Sequence, residues 1–476
     1  MTDFDTHDMT SLADLVAQGE TTPDVLLDMA LYRLGQVNPA LNAVVILAEE
    51  VARRKIAQGL PDGPFRGVPF LLKDSGAEAV DYPSHEGSRL MANTRWPADS
   101  ALFTRLSATG LVPFGRTAIP ENAIGVATEA AVYGAPTRNP WNPDRTPGGS
   151  SGGSGAAVAA GIVPGAHGSD GGGSVRIPAS CCGLFGFKPT RARLPDGPYS
   201  GEGWGGMAIE GFLTRSVRDT ATLLDAVHGP DPGAPYVAPP LRDSFTAALT
   251  APPQGLRIAL CDTRFDGTPI DPVCRAAVQD AAGLLEDMGH RVEPARPEAE
   301  HRAMMEAWTD IVACGTALTV RTELAMLGRD LRDDDIEGVT RGAIAHAATI
   351  DGAGYLMAIG TIHRYGRQMA AFFQEWDILL TPALAEPPAV IGRFDHRTED
   401  YLDFRLGPGR CFDYSPYCAA FNATGQPAMS VPLCWSNDGL PIGIHLAARF
   451  GEDEMLMTLA ADLERARPWF HRRPEI

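Results

Sequence analysis

The sequence predicts an α/β fold with helices packed on a central sheet. Three observations carry that expectation. Apolar runs of strand length alternate with longer stretches whose apolar residues return every three to four positions. Helix starts show a capping residue followed by proline. The C-terminal third adds further apolar runs that complete the sheet.

Taken in order, the first sixty or so residues read as helices. Thr22 caps one and Pro23 opens it, VLLDMALYRLGQV carries its apolar stripe, and a second helix runs from about Asn42 to Gln58. GVPFLLKD is a short buried strand ending at Lys73, ADSALFTRLSATG an amphipathic helix, and LVPFGRT another strand. Within TPGGSSGGSGAAVAAGIVPGAHGSDGGGSVRIPAS, the run AAVAA suits a helix and the apolar segment after it a buried strand. Gly201 to Gly206 is loop-like, and the stretch from Gly229 to Pro253, rich in proline, glycine and aspartate, is a connection. Beyond it GLRIALC is a strand, DPVCRAAVQDAAGLLEDMG a helix and HRVEPA a strand. Ala303 to Gln374 is mostly helical with a charged break at GRDLRDDDIEG. DILLTPA, AMSVPLC and IGIHLAA are strands, and EDEMLMTLAADLERA closes the chain as a helix. No internal repeat occurs, and the simplest assembly is one domain over residues 1–476.

Composition narrows the function classes. With 44% hydrophobic and 21% charged residues among 476, the chain reads as an ordinary globular protein. No stretch approaches eighteen uninterrupted apolar residues, and MTDFDTHDMTSL lacks the basic and apolar regions of a signal peptide, so a cytoplasmic, membrane-free protein is expected. The net charge of −19 disfavours a nucleic-acid partner, because phosphate binding needs clustered cations. Eight scattered cysteines without a CxxC pair are expected as buried thiols in a reducing compartment. Eleven histidines without HExxH or HxH spacing indicate no metal, and no cofactor motif is present.

Of 40 basic residues only Lys55, Lys73 and Lys188 are lysine. Coding bias explains a preference for arginine, yet arginine cannot release its proton near neutral pH and lysine can when desolvated. Lys55, in VARRKIAQG, reads as a solvated helix face; Lys73, ending the apolar GVPFLL, and Lys188, before a proline turn in GFKPT, are the two that stand out. The glycine-serine tract between Thr146 and Ser180 offers three nucleophilic devices. Gly148 to Gly152 matches the GxSxG elbow, a weak match in a glycine-rich tract. A phosphate loop fails because no Gly-Lys-Ser/Thr follows. The third needs no histidine: a serine activated by a lysine, directly or through a second serine. Ser174 follows three consecutive glycines, whose N–H groups are candidates for an oxyanion hole, and Ser150 could bridge it to Lys73.

Read together, GVPFLLKD, TRNPWNPDRTPGGSSGGSGAAVAAG and HGSDGGGSVRIPASCCGLFGFKPT resemble the amidase signature family, as do FNATGQPAMSVPL and DGLPIGIHLAARFGEDEMLMTLAADLE. The resemblance spans roughly Gly67 to Leu463. It implies the amidase signature fold, a large central mixed β-sheet covered by helices on both faces. The signature core would cover about 60–230, and 255–476 would complete the sheet and the substrate pocket. It further implies a Ser-cisSer-Lys triad of Ser174, Ser150 and Lys73, the two serines 24 residues apart as in the family motif. The oxyanion hole carries over to Gly171, Gly172 and Gly173. Where the family usually has threonine this chain has Gly171, which predicts a more mobile loop or a roomier acyl pocket.

The activity implied is hydrolysis of a C–N amide bond through an acyl-enzyme, on a small-molecule amide and water. Cyclic or linear amide oligomers such as those of 6-aminohexanoate are the substrates suggested by the SDGGGS loop and SCCGLFGFKP. Carbamates, aryl amides and esters are the alternatives for the same triad. A glutaminase subunit of a tRNA-dependent amidotransferase typically reads GGSIRQPA where this chain reads GGSVRIPA, and Ile177 favours a stand-alone enzyme, with a homodimer as the compatible assembly. Asn122, Trp308, Cys314 and Tyr414 lie in segments that line the pocket in relatives, though core packing explains each at least as well. Ser151, Asp170 and Arg176 are expected to hold the two loops together, Lys188 to be structural, and His167 to be a satisfied loop histidine.

As base, Lys73 must be lowered from an ordinary pKa of ~10.4 toward 7, about 4 kcal/mol of destabilisation of the ammonium. Burial behind GVPFLL is the expected cause. Strand alternation points Asp74 to the other side.

Overall fold

Every residue of the strands Pro69–Lys73, Val112–Thr117, Phe185–Lys188, Ile378–Pro382 and Pro441–Ala448 is buried, the pattern of a sheet covered by helices on both faces. The structure is a computed structural model and describes residues 6–476, so the first five residues of the 1–476 domain reading lie outside it. Among the described residues eleven strands form one sheet: β1 (Val44–Leu47), β2 (Pro69–Lys73), β3 (Val112–Thr117), β4 (Gly165–Asp170), β5 (Phe185–Lys188), β6 (Ile209–Thr214), β7 (Arg257–Leu260), β8 (Arg291–Pro294), β9 (Ile378–Pro382), β10 (Ala428–Trp435) and β11 (Pro441–Ala448). Their order across the sheet is β1-β3-β2-β4-β6-β5-β10-β11-β9-β7-β8. The sheet is mixed, as expected. β2 runs parallel to β3 and β4, β7 parallel to β8 and β9, and the strands between are antiparallel.

The expected second helix from Asn42 to Gln58 is corrected to a strand followed by a helix, Glu49–Gln58. Helix Pro23–Leu41 stops because Asn42 takes a left-handed conformation, φ 51°. Asn38 Oδ1 then accepts from the N–H groups of both Ala43 and Val44 at 2.9 Å, which turns the chain outward. The β-branched Val44 and Ile46 pair with Thr117 and Arg116 of β3. Strands β5 and β6 were hidden in glycine-rich sequence. Lys55 is also corrected: its ammonium lies 5.0 Å from the Tyr82 ring centre and 5.1 Å from that of Phe103, and burial lowers its pKa.

Two features position the site. Leu71 of β2 pairs with Ala166 of β4, so the carboxyl ends of these parallel neighbours, Lys73 and Asp170, emerge at the same edge. Crevices at such strand ends are where open α/β sheets place ligands. Each serine cluster then leads into a helix, Gly152–Ala159 after Ser150 and Arg176–Cys182 after Ser174. The first helix lies so close to the sheet edge that a Cβ on Gly153 would sit 2.3 Å from Ala118 N and 2.6 Å from Ala43 O. No described helix is long and apolar enough to cross a membrane. All eight thiols are free and six are buried.

Gly153→Ala should therefore lower stability by about 1–3 kcal/mol, the usual cost of overpacking. Urea denaturation followed by circular dichroism reads it, and an unchanged midpoint would contradict the close approach.

Candidate active site

Lys73 ends β2 with its side chain fully buried. Its ammonium nitrogen donates to Ser150 Oγ at 2.7 Å and to Ser169 Oγ at 2.8 Å, two neutral hydroxyls. Burial pushes its pKa down to about 8, against the pull of the more distant carboxylates of Glu210, Asp170 and Glu86. That is less than the shift toward 7 expected from sequence, because those carboxylates oppose desolvation. Asp74 turns away as alternation predicts, accepting from His85 N at 2.9 Å and from the Tyr133 hydroxyl. His167 is fixed in one tautomer: its Nδ1 accepts the Lys73 backbone N–H at 3.2 Å, which leaves Nε2–H to donate to Glu210 at 2.8 Å. Both ring nitrogens are thereby occupied.

The Gly149–Ser150 peptide is cis. Ser151 N donates to Ser174 O at 3.2 Å, so the two serine loops touch. Ser151 Oγ also meets Ser169 O at 3.3 Å. Exposure separates the three candidates, with Ser174 at 9%, Ser150 at 1% and Lys73 at 0%. Only the first is open enough for a substrate carbonyl to reach.

Behind Ser174, Asp170 and Arg176 form a buried ion pair at 2.9 Å. Burial alone would raise the Asp170 pKa, but the guanidinium outweighs it and holds the carboxyl well below the usual range. The same carboxylate accepts from Gly173 N at 2.7 Å and Val175 N at 3.2 Å. Gly173, expected among the oxyanion donors, is corrected on that account: its N–H is already committed to Asp170. Arg176 reaches on to Asn422 Oδ1 at 2.7 Å, Cys418 O at 3.0 Å and His445 Nε2 at 3.0 Å.

Each glycine of the loop faces a bulky side chain. A Cβ on Gly171 would lie 2.5 Å from Trp204 Cζ3, one on Gly172 2.8 Å from Trp308 Cζ2, and one on Gly173 2.6 Å from Cys418 Cβ. The space left by the missing threonine is thus filled by the Trp204 ring, so Gly171 adds no room to the pocket at that position. Trp308 Nε1 donates to Gly171 O at 3.0 Å, and the two tryptophans meet edge to face at 5.9 Å. Sequence reasoning missed Trp204, whose only signal is a large aromatic inside GEGWGG, and Ser169, the second hydroxyl on Lys73.

A cavity of about 280 Å³ opens beside Ser169 and is walled by Asn122, Trp204, Glu78, Glu86, Asp196 and Glu210, among others. Burial raises Glu86 to about 8 and Asp196 to about 7, so near neutrality Glu86 is largely protonated and Asp196 about half so. Of the four expected pocket residues, Asn122 lines this cavity with φ 52°, and its buried Oδ1 has no partner among the described residues. Trp308 touches the nucleophile loop instead of the cavity. Cys314 is half-buried on the same helix, His301–Leu327, and is absent from the cavity wall. Tyr414 takes the core-packing alternative: it is fully buried, and its hydroxyl accepts from Ala389 N at 3.2 Å. Lys188 is buried with its ammonium on Pro189 O at 2.8 Å, and burial lowers its pKa to about 7. No cluster of three or more metal-ligating side chains occurs among the described residues.

The model of the family described as Amidase matches residues 26–457. A 6-aminohexanoate-cyclic-dimer hydrolase of Paenarthrobacter ureafaciens is 37% identical over 99% of this chain and 97% of the relative. The solved structure of a 6-aminohexanoate cyclic dimer hydrolase complexed with substrate superposes with a TM-score of 0.93 at 35% identity, covering 100% of this chain and 99% of that one. A bacterial aryl acylamidase of the amidase signature family superposes with a TM-score of 0.87 at 30% identity, covering 97% and 96%.

The contact between Gly171 and Trp204 makes the two positions interdependent. Gly171→Thr should lower kcat/KM on amide substrates about 100-fold, the cost of displacing a catalytic loop by about an ångström. Trp204→Ala in the same chain should recover most of that loss, whereas purely additive losses in the double variant would refute the coupling.

Proposed function

The chain belongs to the amidase family, and we propose that it hydrolyses amides through Ser174 as nucleophile, Ser150 as proton relay and Lys73 as base. The observation that carries this reading is the buried, pKa-lowered Lys73 ammonium set 2.7 Å from Ser150 Oγ. In the first half-reaction the Ser174 hydroxyl proton passes to Ser150, whose own proton passes to Lys73, while Ser174 Oγ bonds to the substrate carbonyl carbon. The oxyanion takes N–H donors from Gly171, Gly172 and Ser174, the loop amides that Asp170 leaves unengaged. Lys73 returns its proton through Ser150 to the leaving nitrogen, the C–N bond breaks, and an acyl ester remains on Ser174. Water then attacks the ester by the same relay, releasing a carboxylic acid and restoring the serine.

For the substrate we favour a slender, flexible amide such as a cyclic or linear oligomer of 6-aminohexanoate. Trp204 narrows the approach to the nucleophile loop, and the unpartnered Asn122 Oδ1 suits a substrate N–H. Similarity to the cyclic-dimer hydrolases supports this reading. Aryl amides are the second reading, supported by the aryl acylamidase likeness. We further read the chain as a single domain, since strands from both halves share one sheet.

Ser174→Ala and Lys73→Ala should each lower amide hydrolysis by about 10³-fold or more, the scale of triad loss. A fluorophosphonate should label Ser174, and label on Ser150 with Ser174 untouched would reverse the roles. Turnover of a panel of cyclic amides, linear amides, anilides, carbamates and esters should favour the unbranched amides; a preference for anilides would select the second reading.

Because the base must be neutral, kcat/KM should fall about tenfold per pH unit below the Lys73 pKa of about 8 and level off above it. An acid limb with a midpoint below 6 would remove Lys73 from the role.

A further inference from the structure

A second cavity, about 560 Å³ in volume, lies between helix Gly352–Phe372, the turn after helix Cys418–Thr424 and the end of β11. Arg191, His363, Arg367 and Arg449 line it, and none of its lining residues is an aspartate or glutamate. That runs against a chain whose net charge is −19. Arg449 is paired with Asp377 at 2.6 Å, but that carboxylate also serves Arg257 at 3.2 Å, so one negative charge is shared by two guanidinium groups. Arg191 donates to three neutral carbonyls, Gly206 O, Asn422 O and Ala423 O, and has no ion pair among the described residues. Arg367 is exposed and has no hydrogen bond or ion pair among the described residues. The same lining includes the apolar side chains of Ile362, Phe373 and Phe450.

We propose that this cavity binds a small carboxylate carrying an apolar body. Arg367 offers its free guanidinium fork to the two carboxylate oxygens, Arg191 adds the N–H groups of Nη1, the nitrogen not used on backbone carbonyls, and the body lies against Ile362, Phe373 and Phe450. The volume is in the range that encloses a small organic ligand. The site is separate from the cavity beside Ser169, with which it shares no lining residue. It is nonetheless braced to the nucleophile loop. Arg191 Nη2 holds Asn422 O at 2.9 Å, and Asn422 Nδ2 holds Asp170 O at 2.8 Å.

Octanoate titrated into the full chain by calorimetry tests the proposal. One saturable site is expected, weakened about tenfold by Arg367→Gln and more by Arg367→Glu, the scale of losing a hydrogen bond to a charged group. Arg367 is exposed and has no hydrogen bond or ion pair among the described residues, so neither change disturbs the fold. Binding should survive Trp204→Ala in the substrate cavity, fail for octanamide, and resist displacement by equimolar inorganic phosphate. Absence of saturable binding at millimolar octanoate, equal affinity in Arg367→Glu, loss of binding in Trp204→Ala, or displacement by phosphate would each overturn it.

Discussion

The buried ion pair between Asp170 and Arg176 is the contact on which the site depends. Taking two charges out of water costs several kcal/mol per ion, and their attraction repays this only when the remaining hydrogen-bonding groups are satisfied. Here they are. Asp170 takes the guanidinium, two backbone N–H groups and the Asn422 amide, while Arg176 reaches Cys418, Asn422 and His445. One pair thereby sets the backbone of the nucleophile loop and ties it to β11 and helix Cys418–Thr424, elements from the far end of the chain. The expectation that Asp170 and Arg176 join the loops understates this: the pair joins the two halves of the sheet.

Lys73 follows the opposite principle. It is buried with hydroxyls as direct partners, and no carboxylate among the described residues is close enough to pair with it. A direct carboxylate partner would stabilise the ammonium and raise its pKa, cancelling the effect of desolvation. The acidic wall nearby would have the same influence, but Glu86 and Asp196 are themselves buried and raised toward neutrality. Glu210, which leads the pull on Lys73, is held by His167 on β4. Desolvation therefore acts on both sides of the balance, removing charge from the lysine and from the carboxyl groups that would restore it.

Glycine in the nucleophile loop makes room for more than the substrate. Trp204, Trp308 and Cys418 each occupy space that a Cβ would take, so the loop is packed despite having almost no side chains. Trp204 is presented from a glycine-rich turn at φ 52°, a conformation uncommon for an aromatic residue, with its ring against Gly171, Gly315 and the edge of Trp308.

Much of this was legible in the order of amino acids. Periodicity marked most strands and helices of the chain, and the glycine-serine tract together with three lysines singled out Lys73, Ser150 and Ser174, because such signals are local or compositional. Strands β1, β5 and β6 were not legible, since four to six residues beside glycine or a long helix carry too little pattern. Nor could the sequence say that Gly173 spends its N–H on Asp170 or that Trp204 stands against Gly171. Each of those depends on which atoms meet across distant segments or around a tight turn. Only the packed chain decides that, because a backbone N–H or a cavity wall has no signature in residue type.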